Sequence, residues 1–567
     1  YTPNSTTIPV TFDPPPAVPG AITAQGFAIA DSNGVITSIN VFDQGAGYVA
    51  APTVTIDPPT SIPVTFGVAP FGGTKAEGVA ITDVNGFVTS ISLTNPGAGY
   101  DTVVMPSVII DPPTSGPTVT FGTGVNALAT DVQKIDVIAD SSLNIVEAND
   151  IEIVRLETDS NPIVLQAGGI TQSGALIAPS LTVTNVAGDV VLDSTSNDVQ
   201  SIAIANAAGD VTYTTSSSTS TDIAAGGIQA VNVALDTANG LTQSGAIVAT
   251  SLDVTNSAGT VDLNQSNSLT NVEIDNTGNS VSFTNTAATN ISAGGIQGST
   301  VVLNTAGLTQ SGAITATSLD VTNSADAVVL TDATNSLTDV EIDNTGNSVS
   351  FTNAAATNIS AGGIQGSFVT LNTVGLTQTG SIDASAKLTV TNTQGDVTLT
   401  QLNNLAAIEI ANPLGNVDIT NATSMSVNGN GITGNSVSLD VTGDLTAFAD
   451  ITSATSFDAT VSGTASFTSV TASGGSLEID AGSDVSVQNS LTTQGNLNVA
   501  SDGAVTLNQI SAPLGSVTIS GNGAVELGQV STPQGSVTIT SGSDSTLTGT
   551  TSIGTDLIID SAGSVEI

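Results

Sequence analysis

The final part of the chain repeats one phrase in which apolar and polar positions alternate. Gly475, Gly495, Gly515, Gly535 and Thr555 lie 20 residues apart, and each opens such a phrase, for example GSVTISGNGAVEL. Alternation over three to five residues, broken by Gly, Asn, Asp and Ser, is typical of short strands joined by turns. Because the phrase restarts in phase, we predict that three strands form one turn of a parallel β-helix, with turns about 4.8 Å apart.

This interpretation makes a definite statement about the core. One set of apolar residues should point inward, and their counterparts 20 residues away should stack directly on them. The set is Val517, Ile519, Val525, Leu527 and Val530.

Upstream, the repeat period lengthens to about 68 residues. We interpret one 68-residue unit as two turns of about 20 residues and one of about 28, with an extra loop around the phrase AGGIQ. Residues from about 125 to 567 would then form about 21 turns, a rod of roughly 100 Å at the usual strand spacing. The recurring phrases are LTQSGAI or close variants at 170–176, 241–247, 308–314 and 376–382, VEIDNTGNSVSFTN at 272–285 and 340–353, and AGGIQ at 225–229, 293–297 and 361–365.

The first part of the chain repeats differently. Residues 27–59 match residues 79–113, and an Asn-Gly dipeptide lies between alternating strands in each copy, at Asn33 and Asn85. Asn-Gly between strands predicts a tight antiparallel hairpin. Pro-Pro pairs end each copy and stiffen the connection.

The predicted fold class is therefore all-β: a long parallel β-helix of about 20 residues per turn, preceded by two small antiparallel β-modules. The modules occupy 1–122 with a break near 61, and each repeats over about 54 residues. The first turns occupy 123–162, the 68-residue repeats 163–430, and the 20-residue turns 431–567.

Charge narrows the range of partners. Four basic residues stand against 49 acidic ones, which gives a net charge of −45. Such a surface repels nucleic acid and anionic lipid, and it attracts cations. No run of 18 apolar residues is present, so we expect no membrane insertion. Divalent cations remain candidate partners beside a simple role of the charge in solubility.

The sequence lacks several residue types that enzymes commonly use for catalysis. The chain has no His, Cys or Trp, which excludes nucleophile–histidine pairs and histidine-ligated metals. A hydrolase needs only two carboxylates, but Glu273 and Glu341 are equivalent positions of the repeat, as are Asp275 and Asp343. The basic residues are scattered singly. We therefore predict no catalytic residue and no enzyme.

Calcium is the cofactor that the composition favours. The corner segment from Asp480 to Asp484 supplies the oxygen ligands that calcium prefers. Neither the nonapeptide calcium repeat nor an EF-hand loop is present, so no ligand is assigned. The phrase GAGY at 45–48 and 97–100 is read as a glycine turn with Tyr over the module core, against the alternative of a ligand-contacting loop.

The 20-residue phrases, such as GSLEIDAGSDVSV, resemble the repeats of filamentous-haemagglutinin-like exoproteins, the β-helical adhesins of bacterial surfaces, over about 165–567. The phrase GVITSINVFDQGAGY is similar to a strand repeat of bacterial extracellular proteins and phage fibres. These resemblances imply a secreted or cell-surface location and an elongated shape. They supply no catalytic residues.

Three functions stay open at this point. The first is a structural subunit of a surface fibre, sheath or layer; the second is the stalk of an adhesin; the third is a phage fibre, with a polysaccharide-active β-helix behind them. The last phrase stops at Ile567 after its second strand, so we expect either a longer parent chain or a head-to-tail assembly completed by neighbouring copies.

Overall fold

The computed structural model describes residues 128–185 and 187–567 continuously. Before them it describes the segments 6–12, 21–30, 36–43, 45–46, 54–56, 61–66, 74–82, 88–95, 98 and 108–110. All regular structure in the described residues is β-strand, and none of it is a helix that could cross a membrane. The chain divides into two compact units, Tyr1–Leu269 and Thr270–Ile567.

The first unit opens with two small antiparallel sheets of four strands each, in the orders β3-β2-β1-β4 and β7-β6-β5-β8. The predicted Asn-Gly turns at Asn33 and Asn85 lie outside the described residues. Of the two GAGY phrases only Gly45, Ala46 and Ala98 are described. The strands are Thr6–Phe12, Gln25–Ala30, Ile36–Asp43 and Val54–Ile56 (β1–β4), then Ser61–Phe66, Glu77–Thr82, Val88–Asn95 and Val108–Ile110 (β5–β8).

The remaining strands of the first unit form turns of a parallel β-solenoid with about 20 residues per turn. Each strand pairs in parallel with a strand of the next turn. They are β9–β24: Leu128–Thr130, Lys134–Ala139, Leu143–Glu147, Ile151–Thr158, Ile163–Ala167, Ile170–Gln172, Leu176–Asn185, Val190–Leu192, Asp198–Ala205, Val211–Thr215, Thr221–Gln229, Asn232–Thr237, Leu241–Gln243, Ile247–Val248, Ser251–Asn256 and Val261–Asn267.

The second unit consists of solenoid turns of the same kind. Its strands are β25–β56: Asn271–Asp275, Val281–Asn285, Thr289–Gln297, Thr300–Thr305, Leu308–Gln310, Ile314–Asn323, Val328–Leu330, Ser336–Asp343, Val349–Thr352, Thr357–Thr373, Leu376–Gln378, Ile382–Asn392, Val397–Leu405, Ala407–Asn412, Val417–Asn421, Met425–Gly434, Val437–Val441, Leu445–Ala447, Ile451–Ser453, Phe457–Val461, Ala465–Ala472, Leu477–Ala481, Val485–Thr493, Leu497–Ser501, Val505–Ser511, Val517–Gly521, Val525–Thr532, Val537–Ser541, Ser545–Leu547, Thr551–Ile553, Leu557–Ser561 and Val565–Glu566.

The predicted fold class and core are confirmed. The solenoid has about 22 turns. The five residues predicted to point inward are buried, and Val517 stacks on Leu497 and Val537 in parallel register. Successive side chains of a strand point to opposite sides, so apolar residues fill most of the interior, together with some buried Asn, Thr and Ser, while the other polar residues face outward. Gly278 and Gly346, in the two DNTGN corners, adopt the positive φ that such corners require.

The 28-residue turn expected within each 68-residue unit is wrong. Val281 pairs with Val301, Val301 with Leu319, and Leu319 with Val340, so all three turns are close to the common length of about 20 residues. The AGGIQ phrase is a bulge within a strand instead of a loop. In β34, the four residues 360–363 lie opposite Glu341 alone, because the register shifts between Val340 and Ile342.

Because of this packing, one 68-residue repeat does not cover a whole number of turns. Val349 is the equivalent of Val281, but the column that contains Val281 reaches Val340, nine residues before Val349. Val349 belongs to a different column, which contains Leu308 and Val328. One repeat therefore covers about three and a half turns, and equivalent residues of these two successive repeats fall in different columns.

A buried amide pair recurs in each repeat where the chain changes direction. Asn403 is fully buried; its Oδ1 accepts hydrogen bonds from the Ile382 N–H (2.7 Å) and from Gln378 Nε2 (2.8 Å). Its Nδ2 donates to the carbonyls of Leu399 (3.0 Å) and Thr420 (2.9 Å). The same amide pair is formed by Gln310 with Asn335, Gln243 with Asn267 and Gln172 with Asn197.

We expect the bulge glycines to be intolerant of any side chain. Gly363 has φ +81°, and a Cβ there would lie 2.0 Å from the Ser381 carbonyl oxygen. Gly363→Ala should therefore destabilise the surrounding turns by more than the roughly 1–3 kcal/mol that a left-handed conformation alone costs. Gly346→Ala is the matched control, since Gly346 has φ +86° with nothing within 4 Å. Hydrogen exchange at the Ile364 amide and thermal melts measure the difference; equal effects would contradict the bulge geometry.

The amide pair should be more sensitive to truncation than the exposed amide beside it. Asn403→Ala leaves the Ile382 N–H and the carbonyls of Leu399 and Thr420 without this partner, at about 1–3 kcal/mol for each buried group left unsatisfied. We expect faster amide exchange at Ile382. Asn404→Ala, which removes an exposed hydrogen bond to Asp383, should leave that exchange rate unchanged.

Candidate functional site

The two equivalent glutamates of the repeat, Glu273 and Glu341, accept hydrogen bonds from the main chain of the next turn. Glu273 Oε2 accepts the N–H of Gly294 at 3.1 Å, and Glu341 Oε2 accepts the N–H of Gly362 at 3.1 Å. Each carboxylate thus holds the glycine bulge that lies opposite it. This arrangement is a structural use of the side chain, since it satisfies a main-chain donor that the bulge leaves unpaired.

The equivalent aspartates serve the corners. Asp275 Oδ1 accepts the N–H and the hydroxyl of Thr277, at 3.2 and 2.7 Å. Asp343 makes the same pair of hydrogen bonds with Thr345, at 3.2 and 2.8 Å. A carboxylate that bonds its own chain two residues on is an Asx turn.

The two carboxylates of the predicted cation segment have different surroundings. Asp484 Oδ1 accepts the N–H of Ala504, one turn further on, at 2.8 Å. Asp480 lies on the outward side of β46, in register with Thr460 and Ala500. Among the described residues, no group of three or more His, Cys, Asp or Glu side chains could hold a metal ion. Calcium binding stays a prediction without assigned ligands.

Two pairs of outward carboxylates meet in register on neighbouring strands. Asp458 lies beside Glu478, and Asp320 lies beside Glu341. Burial, together with the nearby charges of Glu478 and Asp480, raises the pKa of Asp458 above its ordinary value. Burial and the charge of Glu341 likewise raise the pKa of Asp320. Stacked turns therefore place like charges close enough to affect each other's protonation.

The described residues contain three ion pairs. Lys134 pairs with Glu152 at 2.9 Å and Arg155 with Asp136 at 2.8 Å, both in the first unit. The third ion pair joins Lys387 to Glu409 in the second unit. Lys387 is the sole basic residue in the sequence of that unit. This pair is also the least exposed, with side chains 24% and 16% accessible.

Glu409 holds two further hydrogen bonds besides the one to Lys387. Its Oε1 accepts the side-chain amide of Asn430 at 2.6 Å and the Asn430 main-chain N–H at 3.1 Å. The hydrogen bond from Lys387, aided by those from Asn430, holds the pKa of Glu409 below its ordinary value. The three residues lie on β36, β38 and β40, which pair in succession. We call them the Lys387–Glu409–Asn430 cluster.

The sequence contains a signal for this cluster, namely two residues that differ from their equivalents in the other repeats. Lys387 precedes Leu388 and lies in register with Phe368, just as Ser318 precedes Leu319 and lies in register with Thr300. A lysine therefore stands where the preceding repeat has a serine. Asn430 stands where the two preceding repeats have glycine, Gly294 and Gly362. Both departures from the repeat converge on Glu409.

Comparisons with protein-family models, with curated proteins and with solved structures found no match. The fold places the chain in the class of parallel β-solenoid repeat proteins. The resemblance to filamentous-haemagglutinin-like exoproteins agrees with this fold, and what it implies about location stays a prediction.

We expect Asp458→Asn to stabilise the protein at neutral pH. A raised pKa means that the folded state binds the proton more tightly, so stability from this group is lost as the pH rises through its folded pKa. The asparagine removes that loss, a gain of no more than about 1 kcal/mol at pH 7 that disappears in acid, where the aspartate is protonated. Melting temperatures at pH 3.5 and pH 7 measure it. Asp418→Asn is the control, because Asp418 faces Thr398 and Ser438; an equal pH-dependent gain there would contradict the assignment.

Proposed function

We propose that this chain is a non-enzymatic, extracellular structural protein: a rigid β-solenoid subunit of a cell-surface fibre, sheath or layer. The observation that carries the proposal is the continuous parallel pairing of strands in the second unit. There, strands pair in parallel from turn to turn, and most inward positions are apolar. Such a stack resists bending because each turn is held by its neighbours along the whole strand.

The outward chemistry supports a structural function. The repeated carboxylates hold bulges, corners and the N–H groups of the next turn, as with Glu341 and Asp484. The strong negative charge keeps such a stack soluble and separate from nucleic acid and anionic lipid. The extracellular part of the proposal rests on the resemblance of the 20-residue phrases to surface exoproteins.

Assembly is proposed to run along the solenoid axis. The N–H and C=O groups of every parallel strand point along that axis, so two copies can pair their main chains only in that direction. Lateral contacts between copies would bring together two acidic surfaces, which repel each other at low ionic strength. Divalent cations are the partners that would relieve this repulsion.

Electron microscopy of the purified chain and of its native source tests the proposal. We expect uniform filaments or ordered layers, and labelling of intact, unpermeabilised cells by an antibody against residues 431–567. Single projecting rods on the cell surface would favour the adhesin stalk, and virus particles the phage fibre. A globular, intracellular species would overturn the proposal.

A further inference from the structure

In the Lys387–Glu409–Asn430 cluster, the two residues that depart from the repeat, Lys387 and Asn430, both contact Glu409. Glu409 itself follows the repeat, as the equivalent of Glu273 and Glu341. Those glutamates accept a glycine N–H, whereas Glu409 faces a primary amine on one side and a carboxamide on the other. A regular structural repeat gives no reason for both additions to arise at the same carboxylate.

We propose that Lys387 and Asn430 become joined by an isopeptide bond, formed by the folded chain itself with Glu409 as the catalytic residue. An amine and a carboxamide are the two reactants of amide exchange. Glu409 touches both of them, and holding reactants in one orientation is among the largest contributions to rate. Lysine is a competent nucleophile once it loses its proton.

The local packing leaves room for the reaction. Gly429, with φ +65°, precedes Asn430, and a Cβ there would lie 3.0 Å from Lys387 Nζ and 2.2 Å from Glu409 Oε2. A side chain at position 429 would therefore separate the reactants.

The chemistry balances without any added reagent. The carboxylate of Glu409, whose lowered pKa keeps it ionised at neutral pH, takes a proton from the Lys387 ammonium. The neutral Nζ attacks Cγ of Asn430, and the Nζ–Cγ bond forms. Glu409 passes this proton to Nδ2 as the Cγ–Nδ2 bond breaks, and ammonia is released. The second proton that Nζ must lose then passes through Glu409 to the ammonia, which departs as ammonium. No oxidation or reduction takes place.

Such a bond would close the chain from 387 to 430 across three successive strands of one column. The chain has no cysteine, so no disulfide can serve this purpose. In the first unit, Glu152 accepts hydrogen bonds from Lys134 and from the Ser173 hydroxyl. That cluster offers no carboxamide and is the internal example of an ion pair without a cross-link.

Intact-mass spectrometry of the full chain tests the inference. We expect a mass lower than the sequence mass by about 17 Da, the mass of one ammonia. Digestion after acidic residues should yield one branched peptide that joins the segments containing Lys387 and Asn430. Lys387→Arg, Glu409→Gln and Asn430→Gly should each show the unreduced mass. Asn430→Gly restores the residue that the other repeats carry, so it keeps the fold.

Two results would overturn the inference. The first is a wild-type chain at its full sequence mass, which would leave an ion pair only. The second is a loss of about 17 Da that persists in Lys387→Arg, because an Asn-Gly succinimide loses the same ammonia without needing an amine. The modification would then be sought at the asparagines that precede a glycine, which are Asn33, Asn85, Asn239, Asn428, Asn430 and Asn522. Neither outcome bears on the imaging test of the proposed function.

Discussion

The structure depends on one constraint: every turn must present its main-chain N–H and C=O groups in register to the turns on both sides. A turn that fell out of register would leave buried polar groups without partners. The second unit meets this constraint with turns of nearly constant length, about 20 residues each. Surplus residues are placed in outward bulges, such as 360–363 opposite Glu341, and the inward alternation continues unchanged. Buried amides such as Asn403 satisfy the main chain where the strand direction changes.

The same stacking explains how so acidic a chain can fold. Turns about 4.8 Å apart bring carboxylates of neighbouring strands close to one another and to the main chain of the next turn, with two consequences. Asp484 and Glu341 accept N–H groups from the following turn, which stabilises their charge. Asp458 and Asp320 lie beside another carboxylate and hold their protons more tightly. The acidity is thus part of how the turns are joined, in addition to its effect on solubility.

Regular repetition also makes departures from it informative. Most outward positions repeat with the chain and serve bulges and corners, which agrees with a structural function. Lys387 and Asn430 do not repeat, and the turn spacing brings both to Glu409. A covalent bond at that point would lock adjacent turns of a protein that contains no cysteine, a property suited to an exposed fibre.

The sequence by itself determined the fold class, the inward residues such as Val517 and Leu527, and the glycine corners, because alternation and positive φ are local properties of a few residues. The tertiary structure decided how many turns a 68-residue unit makes. A surplus phrase such as AGGIQ can leave the strand as a loop or stay in it as a bulge. That choice depends on a partner strand one turn away, in which Glu341 accepts the Gly362 N–H. The tertiary structure also brings together the Lys387–Glu409–Asn430 cluster. Side chains that are 22 and 21 positions apart meet only when the register is known to within one residue, and a single inserted residue shifts it.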